Sequence, residues 1–234
     1  MPHARLACLT ALTASLLAGA ARADAGATLS LQSDARERGI SYSGNRPSFQ
    51  LGLAWDGEAG WYGGALLAWA RFDDEHHGAW LRAYGGRVFA LLPGLDGEAG
   101  LLLNRFENVS RYDFAEAYAG LLGERWNLRL HHSPDYYGSG QRSIYGEFNL
   151  RWPLGQDVSA FGHVGVLHGH GAALQAYVEA QGAVRVDQRM GASWQMGRGC
   201  ELQLAWVAAG RGGPYTWTDP TRRRALVLSL SAAF

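Results

Sequence analysis

Lysine is absent from the 234 residues: all 21 basic side chains are arginine, and 21 acids balance them to a formal net charge of zero. That balance excludes a nucleic-acid binder with a basic footprint. Only 2 cysteines occur, and charged residues make up just 18% of the chain. So few cysteines exclude a disulfide-built scaffold. After residue 21 no apolar run approaches the roughly 18 residues that mark a membrane-spanning helix. What is abundant is glycine (32), with 9 Trp, 10 Tyr and 8 Phe inside a 47% hydrophobic content. That much aromatic and apolar surface excludes a disordered chain. Beside so little charge, it also departs from an ordinary soluble domain.

Residues 1–23 read as a processing signal. Arg5 precedes an uncharged apolar stretch from 6 to 21, and Ala21-Arg22-Ala23 is a small-x-small site before Asp24. This is the three-part pattern of a secretory signal peptide, with an apolar stretch short for a spanning helix. Cys8 lies near the start of that stretch, the wrong place for a lipoprotein signal. Cleavage after Ala23 leaves 24–234 as one domain with nineteen arginines, 21 acids and a single cysteine, Cys200, which has no internal disulfide partner.

The remaining chain alternates with period 2. Trp126, Leu128 and Leu130 oppose Arg125, Asn127, Arg129 and His131; Ile144, Phe148, Leu150 and Trp152 oppose Ser143, Tyr145, Glu147, Asn149 and Arg151. Residues i and i+2 share one face of a strand, so each segment has an apolar and a polar side. Segments of about 9 to 13 residues of this kind are the signature of transmembrane β-strands. Twelve are expected, centred near Leu31, Leu51, Leu67, Ala83, Leu101, Ala117, Leu128, Phe148, Gly162, Gly191, Leu204 and Leu228. Tight Gly/Pro/Asp turns at 56–60, 93–97, 123–124, 153–157 and 196–199 alternate with mostly longer polar links at 35–47, 73–78, 108–111, 134–141, 168–183 and 210–223. The expected fold is an all-β, antiparallel, up-and-down transmembrane β-barrel with short periplasmic turns, longer extracellular loops and both termini on the short-turn side. The segment 61–72 has mixed faces and 82–87 suggests a bulge, so their parity stays open.

A secreted antiparallel sandwich alternates as well, but has no need of aromatics at strand ends. Trp55, Trp126, Trp152, Trp194 and Phe234 all fall at short-turn ends with the apolar parity of their strands, as a membrane-interface girdle requires. The opposite parity then lines the interior: Glu98, Glu116, Glu147 and Glu201 with Arg125, Arg129, Arg151 and Arg189, joined by Asp34, Asp187, His131, Asn149, His163 and Gln203. Charges there must be paired or wet. Either they line a narrow, weakly selective pore for small polar solutes, or the same pairs close the lumen; twelve strands lie between filled and open barrels.

Catalysis and metal binding are not expected. His131 and Ser133 share a face, and Glu147 could orient the histidine, but a His-x-Ser pair alone is a weak signature and faces away from lipid. His168 and His170, like His76 and His77, lack the cysteine or carboxylate that would complete a structural zinc set, and read as solvated loops. Asp73-Asp74-Glu75 reads as a solvated charge run, and 172–181 as a short helix or a surface loop. No cofactor is expected. The expected partners are the lipid bilayer and the barrel-assembly machinery, met through the terminal strand ending in Phe234, with no nucleic acid.

The order of several short motifs resembles the TorF family of outer-membrane porins of proteobacteria. Ser33-Asp34-Ala35-Arg36-Glu37-Arg38-Gly39-Ile40-Ser41 is similar to its S-D-x-R-x-R-G-x-S opening, Glu116-Ala117-Tyr118-Ala119-Gly120-Leu121 to its E-x-Y-A-G-L strand, and Ser133-Pro134-Asp135-Tyr136-Tyr137-Gly138 to its S-P-D-Y-x-G loop. Gly60-Trp61-Tyr62-Gly63-Gly64 and Tyr145-Gly146-Glu147-Phe148-Asn149 continue the resemblance toward Phe234. Departures are His131-His132, where the family has aromatics, and the long link after Leu167. The resemblance implies an outer-membrane barrel with channel function, and brings no substrate or catalytic residue.

Overall fold

The computed structural model describes residues 24–170, 182–197, 199–214 and 223–234. The signal segment 1–23 and the link 172–181 lie outside the described residues. The strands are β1 (Asp24–Gln32), β2 (Arg36–Glu37), β3 (Ile40–Ser41), β4 (Ser48–Asp56), β5 (Trp61–Arg71), β6 (His77–Leu92) and β7 (Leu95–Phe106). There follow β8 (Phe114–Gly123), β9 (Trp126–Ser133), β10 (Arg142–Pro153), β11 (Val158–His170), β12 (Val184–Gly197), β13 (Cys200–Ala209) and β14 (Arg224–Ala233).

All except β2 and β3 form one closed antiparallel barrel, so twelve strands cross it as the alternation predicts. Closure comes from β1 pairing with β14, with Thr28 opposite Ala233. The Ala27 N–H donates to the Phe234 carbonyl at 2.9 Å, and Phe234 N–H returns the bond at 3.0 Å. No strand of the barrel is left with an unpaired edge, the condition for crossing a medium without water.

Burial is inverted relative to a water-soluble fold. Leu101 is 65% exposed and Leu103 57%, whereas Leu102 between them is 3% exposed. Exposed leucines, valines and aromatics continue around the whole outer wall. Trp55, Trp126, Trp152, Trp194 and Phe234 stand at the short-turn end of this band, with Trp61 and Phe89 joining them. Phe49 and Trp69 face outward near the opposite rim.

The segments with open parity resolve simply. From Trp61↔Arg87 to Arg71↔His77 the pairing of β5 and β6 is uninterrupted, so the bulge suggested at 82–87 is absent. The irregularity falls at Ala90/Leu92. Leu66, Ala68, Ala70 and Trp80 face inward while Leu67, Trp69 and Leu81 face outward. Both faces are apolar there because the interior holds a hydrophobic core at that height.

That core contains the main departure from expectation. Most of residues 35–47 is not a solvated loop: 35–43 fold into the barrel as a hairpin in which β2 pairs with β3, and only 45–47 stay exposed. The Asp34 carboxylate gathers it, accepting from Arg36 Nε at 2.6 Å, Ser41 Oγ at 2.5 Å and Ser43 Oγ at 3.1 Å. Arg38 and Gly39 form its two-residue tip with φ of 47° and 74°, the pattern of a type I′ turn. A Cβ at position 39 would overlap the Ala209 Cβ, so only glycine lets the tip reach the far wall at β12 and β13. Ile40 and Tyr42 enter an aromatic core with Phe72, Trp80, Phe106 and Phe114. Tyr42 meets Trp80 edge to face at 4.7 Å. Burial of each such side chain is worth about 1.5 to 3 kcal/mol.

The histidine pair is also repositioned. His168 and His170 belong to β11, which runs three residues into the expected 168–183 loop, and their rings stack at 5.9 Å.

Leu101→Arg is expected to lower the stability of the barrel in lipid vesicles by about 2 to 4 kcal/mol, measured by urea unfolding. An effect no larger than that of Leu101→Gln would contradict a hydrocarbon surrounding at that height.

Candidate functional site in the barrel interior

Strand parity aims every second side chain of the barrel inward, and outside the aromatic core the inward set mixes polar side chains with smaller apolar clusters around Leu102 and around Ala205, Val207 and Val227. In the short-turn half, Arg151 donates to Glu201 at 2.7 Å and to Ser193 at 2.8 Å, and Gln195 and Gln203 complete the Glu201 carboxylate. Arg189 donates to Gln203 at 3.0 Å, its guanidinium 5.5 Å from the Phe161 ring centre.

Higher in the lumen, Glu98 on β7 reaches past β8 to Arg129 on β9. Tyr62 donates to the second Glu98 oxygen at 2.9 Å and shares a 2.7 Å hydrogen bond with Tyr118. The Tyr62 and Tyr118 rings lie against Gly86 and Gly100, where a Cβ would clash with them. His131 stands between two carboxylates, with Nδ1 3.5 Å from Glu116 and Nε2 3.8 Å from Glu147. Beside it, His163 bonds Asp187 at 2.9 Å and Asn149 at 2.6 Å.

Of the eight charged residues expected inside, Glu98, Glu116, Arg129, Glu147, Arg151, Arg189 and Glu201 occupy inward positions joined by these contacts. Arg125 does not. It lies exposed in the turn between β8 and β9, its guanidinium 4.6 Å over the Trp152 ring on the outer surface. The alternation starts one residue before the strand does, and a turn residue has no parity to obey.

Sequence reasoning missed Arg36, Glu37, Arg38 and Arg82. The first three sit in the S-D-x-R-x-R-G-x-S segment, whose density of charge and unusual order were the available signal. Arg38 at the tip donates from both terminal nitrogens to Glu116, each at 2.7 Å. Burial alone would lower the pKa of Arg38, but the Glu116 carboxylate more than offsets it and holds the guanidinium charged above its ordinary value. Arg82 bridges Glu37 at 3.1 Å and donates through Nε to Asn104 at 2.9 Å. A cavity separates the hairpin from the wall of β1, β4, β5 and β6. Thr28, Gln32, Gln50 and Arg82 line the wall side of it, Arg36 and Glu37 the hairpin side.

His131 and Ser133 are not joined by a hydrogen bond. Ser133 is fully buried, and its hydroxyl makes no hydrogen bond among the described residues. His131, which would have to activate it, is engaged by the two carboxylates instead. Among the described residues no three histidine, cysteine or acidic side chains converge as a metal site.

Removing one partner of a buried ion pair strands the other charge. Glu98→Ala is therefore expected to lower unfolding free energy by about 3 to 5 kcal/mol, while Arg125→Ala changes it by no more than about 0.5 kcal/mol. Urea titration of both variants in detergent checks the contrast, and equal effects would contradict the two placements.

Solved structures share the architecture. The NanC porin aligns with a TM-score of 0.58 at 10% identity, covering 89% of this chain and 99% of that one. The KdgM porin gives 0.56 at 8% identity over 89% and 98%. An outer membrane channel from Pseudomonas putida F1 gives 0.50 at 14% identity over 96% and 98%. At such identities the likeness is one of fold. No curated protein matches the sequence. The Gcw_chp family model, described as a bacterial protein of unknown function, matches residues 18–234, and the chain belongs to that family.

Proposed function

We propose that this chain is an outer-membrane channel that passes small polar solutes along a narrow route between its inward-folded hairpin and the β1–β6 side of the barrel. The observation that carries the reading is the cavity in that position, where polar side chains stand among the apolar Leu53, Leu66 and Trp80. Thr28, Gln32 and Gln50 offer neutral donors and acceptors beside Arg82 on the wall, across from the charged Arg36 and Glu37 of the hairpin. Such a lining replaces the hydration of a small polar molecule without holding it tightly, as conduction requires. The apolar outer band supports a bilayer location, and the porin-like fold of the similar structures agrees with it. Assignment to porins of the TorF kind, export through the 1–23 signal, and handling by the barrel-assembly machinery through the strand ending in Phe234 belong to the same proposal.

The aromatic core favours a second reading, a non-conducting barrel that acts through its outer loops. Ile40, Tyr42, Phe106, Tyr136 and Tyr137 fill much of the loop-end lumen, and the Glu98–Arg129 pair narrows the space beneath it. In that reading the ion pairs close the barrel and the cavity is an enclosed remnant.

Planar-bilayer recording separates the two. The full barrel is expected to give small stepwise conductance, and replacing residues 35–45 by a short Gly/Ser linker to raise the step at least threefold. A silent wild type, with a folded and heat-modifiable barrel confirmed, would reject the channel in favour of the closed barrel.

A further inference from the structure

Arg38 is held as a ligand would be held. Its two terminal nitrogens engage the two oxygens of Glu116 in a fork, each at 2.7 Å. Its guanidinium lies 4.0 Å from the Tyr145 ring centre, and the Tyr136 hydroxyl accepts from Nη1 at 3.1 Å. A carboxylate fork combined with an aromatic face is how proteins recognise a planar cation. The box is built from β8, β10 and the link after β9, with no contribution from the hairpin that fills it. Nε is left without an acceptor among the described residues. The box therefore matches the terminal NH2 groups of a guanidinium rather than the arginine stem.

Two independent features make Arg38 a replaceable occupant. Its φ of 47° is one that non-glycine residues avoid, so the tip position is not selected for arginine by its backbone. The neighbouring Glu37 borders the cavity on the β1–β6 side, one residue from the tip.

We infer that Arg38 is an intramolecular occupant of a binding site for small guanidinium-bearing solutes, and that organic cations of this shape are the class the barrel admits. For transport the inference rests on the channel reading; for binding it stands on the box alone. A solute guanidinium takes the Glu116 fork and the Tyr145 face, Arg38 withdraws toward the cavity, and the loop-end closure loosens.

The test is calorimetric titration of the full, detergent-folded barrel with methylguanidinium chloride, with sodium chloride as the ionic-strength control. Arg38→Met keeps the packing of the stem and vacates the box. It is expected to bind the probe at least about tenfold more tightly than wild type, and Glu116→Gln added to it to abolish the gain. Arg38→Ala should melt at lower temperature than wild type and be restored by the probe, which provides a second readout if either variant folds poorly. Equal affinity in wild type and Arg38→Met, a gain indifferent to Glu116→Gln, or a gain produced equally by sodium chloride would overturn the site. Probe binding in a barrel that carries no current would leave the site standing and reject the channel; current without probe binding would do the reverse.

Discussion

Everything in this structure depends on the closing of β1 against β14. A sheet with a free edge leaves a row of unpaired N–H and C=O groups, tolerable in water and prohibitively costly in an apolar medium. Once the Ala27 and Phe234 backbones join the two ends, each strand has two neighbours and each residue a fixed side. The outer wall then collects Leu101, Leu103, Leu204 and Leu228, and the inner wall must accommodate what remains.

The inner wall solves that problem in two ways. Toward the short turns it pairs its charges, as Arg151 does with Glu201 and Arg129 with Glu98, and Tyr62, Gln195 and Gln203 donate to the remaining lone pairs. Toward the longer loops it fills itself with aromatic side chains and with a hairpin from its own chain. The hairpin is coherent because one carboxylate, Asp34, holds its base while a second, Glu116, holds its tip. A polar lumen and a packed core thus coexist at different heights of one barrel, and the proposed route runs where the two meet the wall of β1, β4, β5 and β6.

Much of this was legible in the sequence. All twelve expected strand centres fall inside barrel strands, because a wall with one apolar and one polar face forces a period of 2. The five end aromatics and seven of the eight inward charges follow from the same parity. Alternation failed where its physical cause failed. Around Leu66 and Trp80 the inner face is as apolar as the outer, so period 2 disappears although the strands are regular. Arg125 kept the rhythm of β9 by chance and belongs to a turn. His168 and His170 were read as loop because β11 continues past the point where its glycines suggest an end.

The segment 33–41 marks the boundary between the two kinds of information. Its polar residues, glycine and short length are those of any surface connection, and only contacts from far along the chain distinguish a plug from a loop: Glu116, Tyr136, Tyr145 and Ala209. The sequence by itself determined strand number, the facing of most side chains and the position of the tight turns, since these are local consequences of alternation and turn chemistry. The tertiary structure alone decided that the first long connection turns inward and that Arg38 meets Glu116, because both require distant strands to be brought around a closed ring before the partners exist.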